Sequence, residues 1–270
     1  MSERFAVVKV LLLLVLGILL PAAHAQSVYI EDLTWPEIRD AIAAGKKTAI
    51  IYAGSTEQKG PHMATGQHNV VAHFAAGRIA EALGDALVYP TLPFARTGDP
   101  IARTGHMRFP GSVSLSAEVF AGVVREIALS ALVAGFREVY LMGDHGGGQA
   151  ELKLAAERLD AQWRGKGALV RHVPDLYYKS QELARKYLAA NRITIGTHAD
   201  ALDTSELMYL DPGRRWIRPD RMAASDAAQR QATGVEGDPT KASAEMGKIF
   251  LGYKIDAAVA QIRGFRDARR

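Results

Sequence analysis

Two short apolar runs decide the fold: Thr48-Ala49-Ile50-Ile51-Tyr52 and Glu138-Val139-Tyr140-Leu141-Met142. The first leads within two residues into Ser55-Thr56-Glu57-Gln58-Lys59-Gly60-Pro61-His62. The second runs straight into Gly143-Asp144-His145-Gly146-Gly147-Gly148. β-Branched and aromatic residues bounded by glycine read as short buried strands. Ala86–Tyr89 and Leu169–Val173 read as two more.

Between the strands lie helical patterns. Thr34 caps a helix that runs to about Ala44, with Pro36 early in it and Glu37 completing a T-x-x-E capping box. Asn69–Leu83 is apolar at helical spacing (Val70, Phe74, Ile79, Leu83), and Ala117–Val133 is a strongly apolar helix. Gln149–Trp163, His198–Leu210 and Ser243–Phe265 read as further helices. Residues 211–240, rich in Pro, Gly and Arg, read as a long loop. Strands separated by helices of this length imply an α/β fold, a three-layer α/β/α sandwich with a mostly parallel sheet. Ligands of such sheets bind at the carboxyl ends of the strands, where Glu57 and His145 fall.

The chain of 270 residues fits one domain and can bury a large core unaided. Its net charge is +4, but the basic residues are scattered. The absence of a basic stripe interleaved with aromatics argues against a nucleic-acid partner. With no cysteine, disulfides, thiolate catalysis and zinc–cysteine sites are excluded. At the N-terminus, Arg4 and Lys9 precede an apolar run from Val10 to Leu20, then Pro21 and Ala23-His24-Ala25. This order reads as a signal peptide over residues 1–25, cleaved before Gln26. The expected mature protein, residues 26–270, is periplasmic or secreted and has no stable membrane anchor.

Three loops carry the chemistry. Glu57, His62 and His68 follow the first strand, Asp144 and His145 follow the third, and His198, Asp200 and Asp203 open a later helix. Histidine and carboxylate from separate loops suit a metal site of oxygen and nitrogen donors. Taken singly, each is weak: a lone loop histidine is more often a surface residue than a ligand. The glycine run lacks the spacing and lysine of a phosphate loop.

Together these segments resemble the creatininase family. The blocks are S-T-E-Q-K-G-P-H-M-A-T-G-Q-H at 55–68, F-P-G-S-V-S at 109–114, G-D-H-G-G-G at 143–148, H-A-D-A-L-D-T-S at 198–205 and G-D-P-T-K-A-S-A-E-M-G at 237–247. They come in the family's order over about 190 residues. The resemblance implies a divalent metal site, hydrolysis of a non-peptide, often cyclic, amide C–N bond in a small molecule, and a homo-oligomer, often a hexamer.

The departures from the family pattern shape the expected site. The family's first block binds a metal pair through Glu, His and a bridging Asp. Here Glu57 remains, Lys59 stands at the His and His68 at the Asp. Creatininase itself has a glutamate ligand where this chain has Gly147, and Asp144 replaces a family glycine without an evident role. An ammonium cannot ligate a metal, and a neutral imidazole is a poor bridge. The expectation is therefore one divalent ion per chain, zinc before iron or manganese, held by Glu57, His68 and His145, with Asp203 adding or orienting a ligand. Lys59 would stabilise an oxyanion, His198 would protonate the leaving nitrogen, and His62 and His106 would face substrate. The alternative is an inactive relative that keeps the pocket and binds a small molecule without turning it over.

Overall fold

The computed structural model describes residues 27–269; the signal-peptide reading of residues 1–25 lies outside the described residues. Strands β1 (Thr48–Ala53), β2 (Ala86–Val88), β3 (Glu138–Gly143) and β4 (Leu169–His172) form a parallel sheet in the order β2-β1-β3-β4. β1 and β3 pair along their whole lengths, from Thr48 opposite Glu138 to Ala53 opposite Gly143.

The strand alternation sorts side chains into two cores. Ala49, Ile51 and Ala53 face one way, with Val139 and Leu141. They pack on helices α1 (Trp35–Ala43), α3 (Ala117–Ala134) and α4 (Gln149–Trp163). Ile50, Tyr52, Tyr140 and Met142 face the other way, against α2 (Gln67–Leu83) and α8 (Ala244–Asp267). Both sheet faces are therefore covered, as the continuously apolar strands require. The expected capping box forms: Thr34 and Glu37 bond reciprocally at the start of α1.

Three differences from the sequence reading have physical causes. Helix α5 (Tyr178–Ala190) was not expected, although Ala184 and Leu188 lie at helical spacing and pack on Phe250 of α8. Helix α6 (Ala201–Leu210) begins three residues later than expected, because the Asp200 carboxylate accepts from the Leu202 and Asp203 N–H groups and caps it there. His198 and Ala199 thereby stay in the loop. The segment 211–240 contains a short helix, α7 (Arg230–Thr233), and a 3-10 turn at Pro219–Arg221. Among the described residues no helix is long and apolar enough to cross a membrane.

The chain leaves β1 toward β2 on one side and reaches β3 on the other. The crevice outside the carboxyl ends of β1 and β3 is thus the topological switch point, where open α/β sheets bind ligands.

Candidate metal centre

Glu57, four residues beyond β1, sits at that switch point with a fully buried side chain. Its Oε2 accepts from Ser55 Oγ at 3.3 Å and lies 2.8 Å from His145 Nε2 and 3.7 Å from His106 Nε2. Its Oε1 lies 3.2 Å from His68 Nε2, 3.5 Å from Lys59 Nζ and 3.9 Å from His198 Nδ1. Four imidazoles and one ammonium therefore converge on one carboxylate. Burial alone would push the Glu57 carboxyl up, but His145, His68 and Lys59 hold it well below the usual carboxylate range.

Two three-residue sets bring ligand atoms within 4.8 Å of one another: Glu57 with His68 and His145, and Glu57 with His106 and His198. Hydrogen bonding separates them. His145 Nδ1 lies between the main-chain N–H and C=O of Gly147, at 3.0 and 3.2 Å, so it can donate and leave its Nε2 lone pair free. His68 Nδ1 contacts Asp144 Oδ2 at 2.7 Å, and its Nε2 also faces Glu57. In the second set, Gly60 N–H donates to Gln58 Oε1 at 2.9 Å. That bond turns the Gln58 amide N–H toward His106 Nδ1, 3.0 Å away. The His106 proton then belongs on Nε2, facing Glu57, which suits a hydrogen-bond donor better than a metal ligand.

The remaining charges are locked. Lys59 Nζ bonds Asp203 Oδ2 at 2.8 Å, and that oxygen also accepts from Ala199 N–H at 2.8 Å. Burial opposes the Lys59 charge, but Asp203 and Glu57 outweigh it, so Lys59 stays an ammonium. Burial likewise opposes the Asp203 charge, and Lys59 restores it. Asp203 belongs to neither converging set; its Oδ2 serves as the counter-ion of Lys59. His62 is not brought to the cavity. Its ring is fully buried, its Nε2 pairs with Thr204 Oγ1 at 2.9 Å, and it holds the loop against α6 away from the cavity wall. Burial, then the Lys59 charge, pushes His198 down to about 2, so it is neutral. Its Nε2 lies 2.9 Å from the Gln58 carbonyl. The Gln58 side-chain Nε2 also lies 3.0 Å from the same nitrogen, so His198 Nε2 can either donate or accept.

Several residues without a role in the sequence reading are brought here by the fold. Behind His68, Asp144 Oδ1 accepts from Lys254 Nζ of α8 at 2.6 Å and from Tyr52 O–H of β1 at 3.0 Å. Lys254 also reaches Glu206 at 3.2 Å. Burial and the nearby carboxylates push Glu206 up to about 7, against the pull of Lys254. Gly147 shows why a glutamate is absent there: a Cβ at this position would lie 1.9 Å from the Arg96 carbonyl oxygen. The centre opens into a cavity of about 170 Å³ bounded by His106, His145, Tyr177, His198, Arg230 and Lys254.

The chain matches the sequence profile of the creatininases, described as creatinine amidohydrolase, over residues 31–262. It belongs to the creatininase family. Members of this family are hydrolases. The chain is 27% identical over 252 residues to the mycofactocin precursor peptide peptidase of Mycobacterium ulcerans, covering 85% of each protein. It is 31% identical over 121 residues to the creatinine amidohydrolase of Pseudomonas putida, covering 45% of this chain and 46% of that one. Its fold is that of a crystallised creatininase, with a TM-score of 0.71 at 23% identity, covering 88% of this chain and 97% of the other. A manganese form of creatininase superposes with a TM-score of 0.71 at 24% identity, covering 88% and 98%.

Proposed function

We propose that this creatininase-family protein is a metal-dependent hydrolase of an amide C–N bond, and that it works with one divalent ion. The observation that carries the reading is the convergence of His68 Nε2 and His145 Nε2 on the two oxygens of Glu57. Two imidazoles and a carboxylate, with a cavity beside them, match the ligand set of a catalytic zinc that keeps one position open. Related structures include manganese and zinc–zinc forms, so this donor set is matched to ions the family accepts.

Charge favours one ion over two. A second divalent ion would sit close to the first and beside the Lys59 ammonium, without a bridging carboxylate at position 68. Lys59 occupies that second position as a fixed charge.

A divalent ion here would ionise water near neutral pH and polarise an amide carbonyl. The protein's own groups do the rest. His198, neutral in the resting site, is placed to orient the substrate at the leaving nitrogen, and the proton that nitrogen needs comes from the attacking water. His106 offers its Nε2–H to the carbonyl oxygen as charge develops there. Lys59, bound on both sides, contributes its field and not a proton.

Two bond types remain in view. A small cyclic amide suits the confined polar cavity. A short peptide amide is favoured by a second cavity of about 280 Å³, which shares His106 and Arg230 with the first and is also lined by Arg108 and Phe109. Creatinine is the poorer candidate, given Gly147. Metal analysis of the purified protein tests the core of the reading: about one ion per chain, lost in His68→Ala and rising toward two in Lys59→His with His68→Asp. Two ions in the unaltered protein would refute the one-ion site. A loaded protein that turns over neither cyclic amides nor short peptides would favour the binding-protein alternative.

Export and assembly belong to the same proposal. Periplasmic recovery with an N-terminus near Gln26 is the expected outcome, and an intact membrane-bound form starting at Met1 would refute it. Val119 and Val133 of α3 are 51% and 72% exposed, which suits an oligomer contact. Light scattering that shows a monomer at micromolar concentration would sink the expected homo-oligomer.

A further inference from the structure

We propose that Asp144 is a positioning residue: its carboxylate fixes His68 with the proton on Nδ1, so that the Nε2 lone pair faces the ion. This rests on the metal reading above and adds to it. An ionised carboxylate only accepts hydrogen bonds, so the 2.7 Å contact requires Nδ1–H as donor. The opposite nitrogen lies 3.2 Å from Glu57 Oε1 and donates to it while no ion is bound, so Nε2 is the nitrogen that exchanges its proton for the ion and Nδ1 keeps its own. His145 has no such constraint, because its Nδ1 meets both a donor and an acceptor on Gly147. Of the two imidazole ligands, only His68 has its Nδ1 proton set in advance.

Asp144 is itself clamped. Its second oxygen receives both the Lys254 ammonium and the Tyr52 hydroxyl, so three elements of the fold hold one carboxylate still. All four side chains are buried. An ammonium and a carboxylate taken out of water in this way are expensive, and apolar residues of similar volume would serve packing as well. A role in orienting His68 accounts for keeping them. It also joins two departures from the family pattern that are separate in the sequence. The carboxylate missing at position 68 reappears at 144, one step behind the imidazole that replaced it. A glycine at 144 would leave the His68 Nδ1–H without its acceptor.

A partner that orients a ligating histidine typically changes metal affinity by about 10–100-fold. Asp144→Asn is therefore expected to weaken zinc binding by that factor in a chelator-competition titration, and Lys254→Met by less in the same direction. Circular dichroism checks that both variants are folded. Nitrogen NMR of the zinc-loaded unaltered protein is expected to show His68 protonated on Nδ1 and not on Nε2, and it decides the matter even if a variant fails to fold. A folded Asp144→Asn protein with unaltered zinc affinity, or a His68 protonated on Nε2, would overturn the positioning role alone. An unaltered protein that takes up no zinc would remove the metal reading and this role together.

Discussion

The sheet carries a charged cluster at each end, partly buried at one and buried at the other, and the two are built on opposite principles. At the amino ends of the strands, Arg266 of α8 gathers three partners. It donates to Glu138 Oε2 at 2.7 Å, to Thr48 Oγ1 at 2.7 Å and to both oxygens of Asp85 at 2.9 and 3.0 Å. Tyr140 O–H adds a bond to Glu138 at 3.1 Å. Donors and acceptors are matched, and nothing in this cluster is left to bind an ion. At the carboxyl ends, imidazole nitrogens crowd one carboxylate, and a cavity opens beside them. Saturated charge ties elements together; under-matched charge of the right geometry waits for a ligand.

The largest expected effect separates the two ends directly. Glu57→Gln keeps the shape of the hub but removes the charge on which the imidazoles converge. Ion content should vanish, and hydrolysis of whichever amide proves to be the substrate should fall by at least about a thousandfold, ~4 kcal/mol of transition-state stabilisation. A variant that keeps its ion would break the distinction. Stripping the ion with a chelator should cost stability too. With free zinc near a thousand times its Kd, the loaded protein should be more stable by about 4 kcal/mol. That corresponds to a Tm difference of roughly 10 °C, read by thermal melts with and without chelator.

The closed end should respond the other way. Arg266→Met leaves Glu138 and Asp85 only the longer cation contacts of Lys47, at 3.8 and 3.7 Å, and should destabilise the fold by about 2 kcal/mol, with zinc affinity unchanged. Denaturant melts paired with zinc titration would check both halves. A loss of zinc affinity in this variant would show that the two ends are coupled.

The smallest effect lies outside both clusters, in the buried His62 and the half-buried His172. Burial pushes His172 and His62 down to about 4 from an ordinary 6.5. The unfolded chain therefore takes up protons before the folded one does. The stability they contribute is complete above about pH 6.5 and drains away as the pH falls toward 4. His172→Gln should flatten part of that decline in urea midpoints measured from about pH 7 down to about pH 4.5. An unchanged slope would mean that His172 protonates without penalty.

The sheet, and the helices packed on it, were legible because periodicity and glycine boundaries are local signals. Thr48–Tyr52 and Glu138–Met142 mark the two central strands almost to the residue. Helix α5 was missed although its Ala184, Tyr187 and Leu188 spacing was there to be read. The convergence of Glu57, His68 and His145 followed from motif order. Their supports did not, because a partner such as Lys254 stands 110 residues from Asp144 in the chain, and nothing in its helical surroundings marks it as buried. The partners of Asp203 and His62 were hidden for a related reason. Each lies in the right loop, but Lys59 takes the first and Thr204 the second. Which way a side chain turns inside a loop is decided by neighbours that sequence order does not reveal.

The bond between Lys254 and Asp144 also sets the timing of assembly. Lys254 lies on the last helix, so the clamp on Asp144 cannot close until nearly the whole chain is available and α8 has docked against the sheet. Contacts this distant in sequence form late, after the cost of closing long loops has been met. The chain that still lacks its C-terminal helix has Glu57, His68 and His145 but no fixed prop behind the second ligand. On the proposed metal reading, full affinity for the ion would await the finished molecule, and the arrival of metal would be a signature of completed folding.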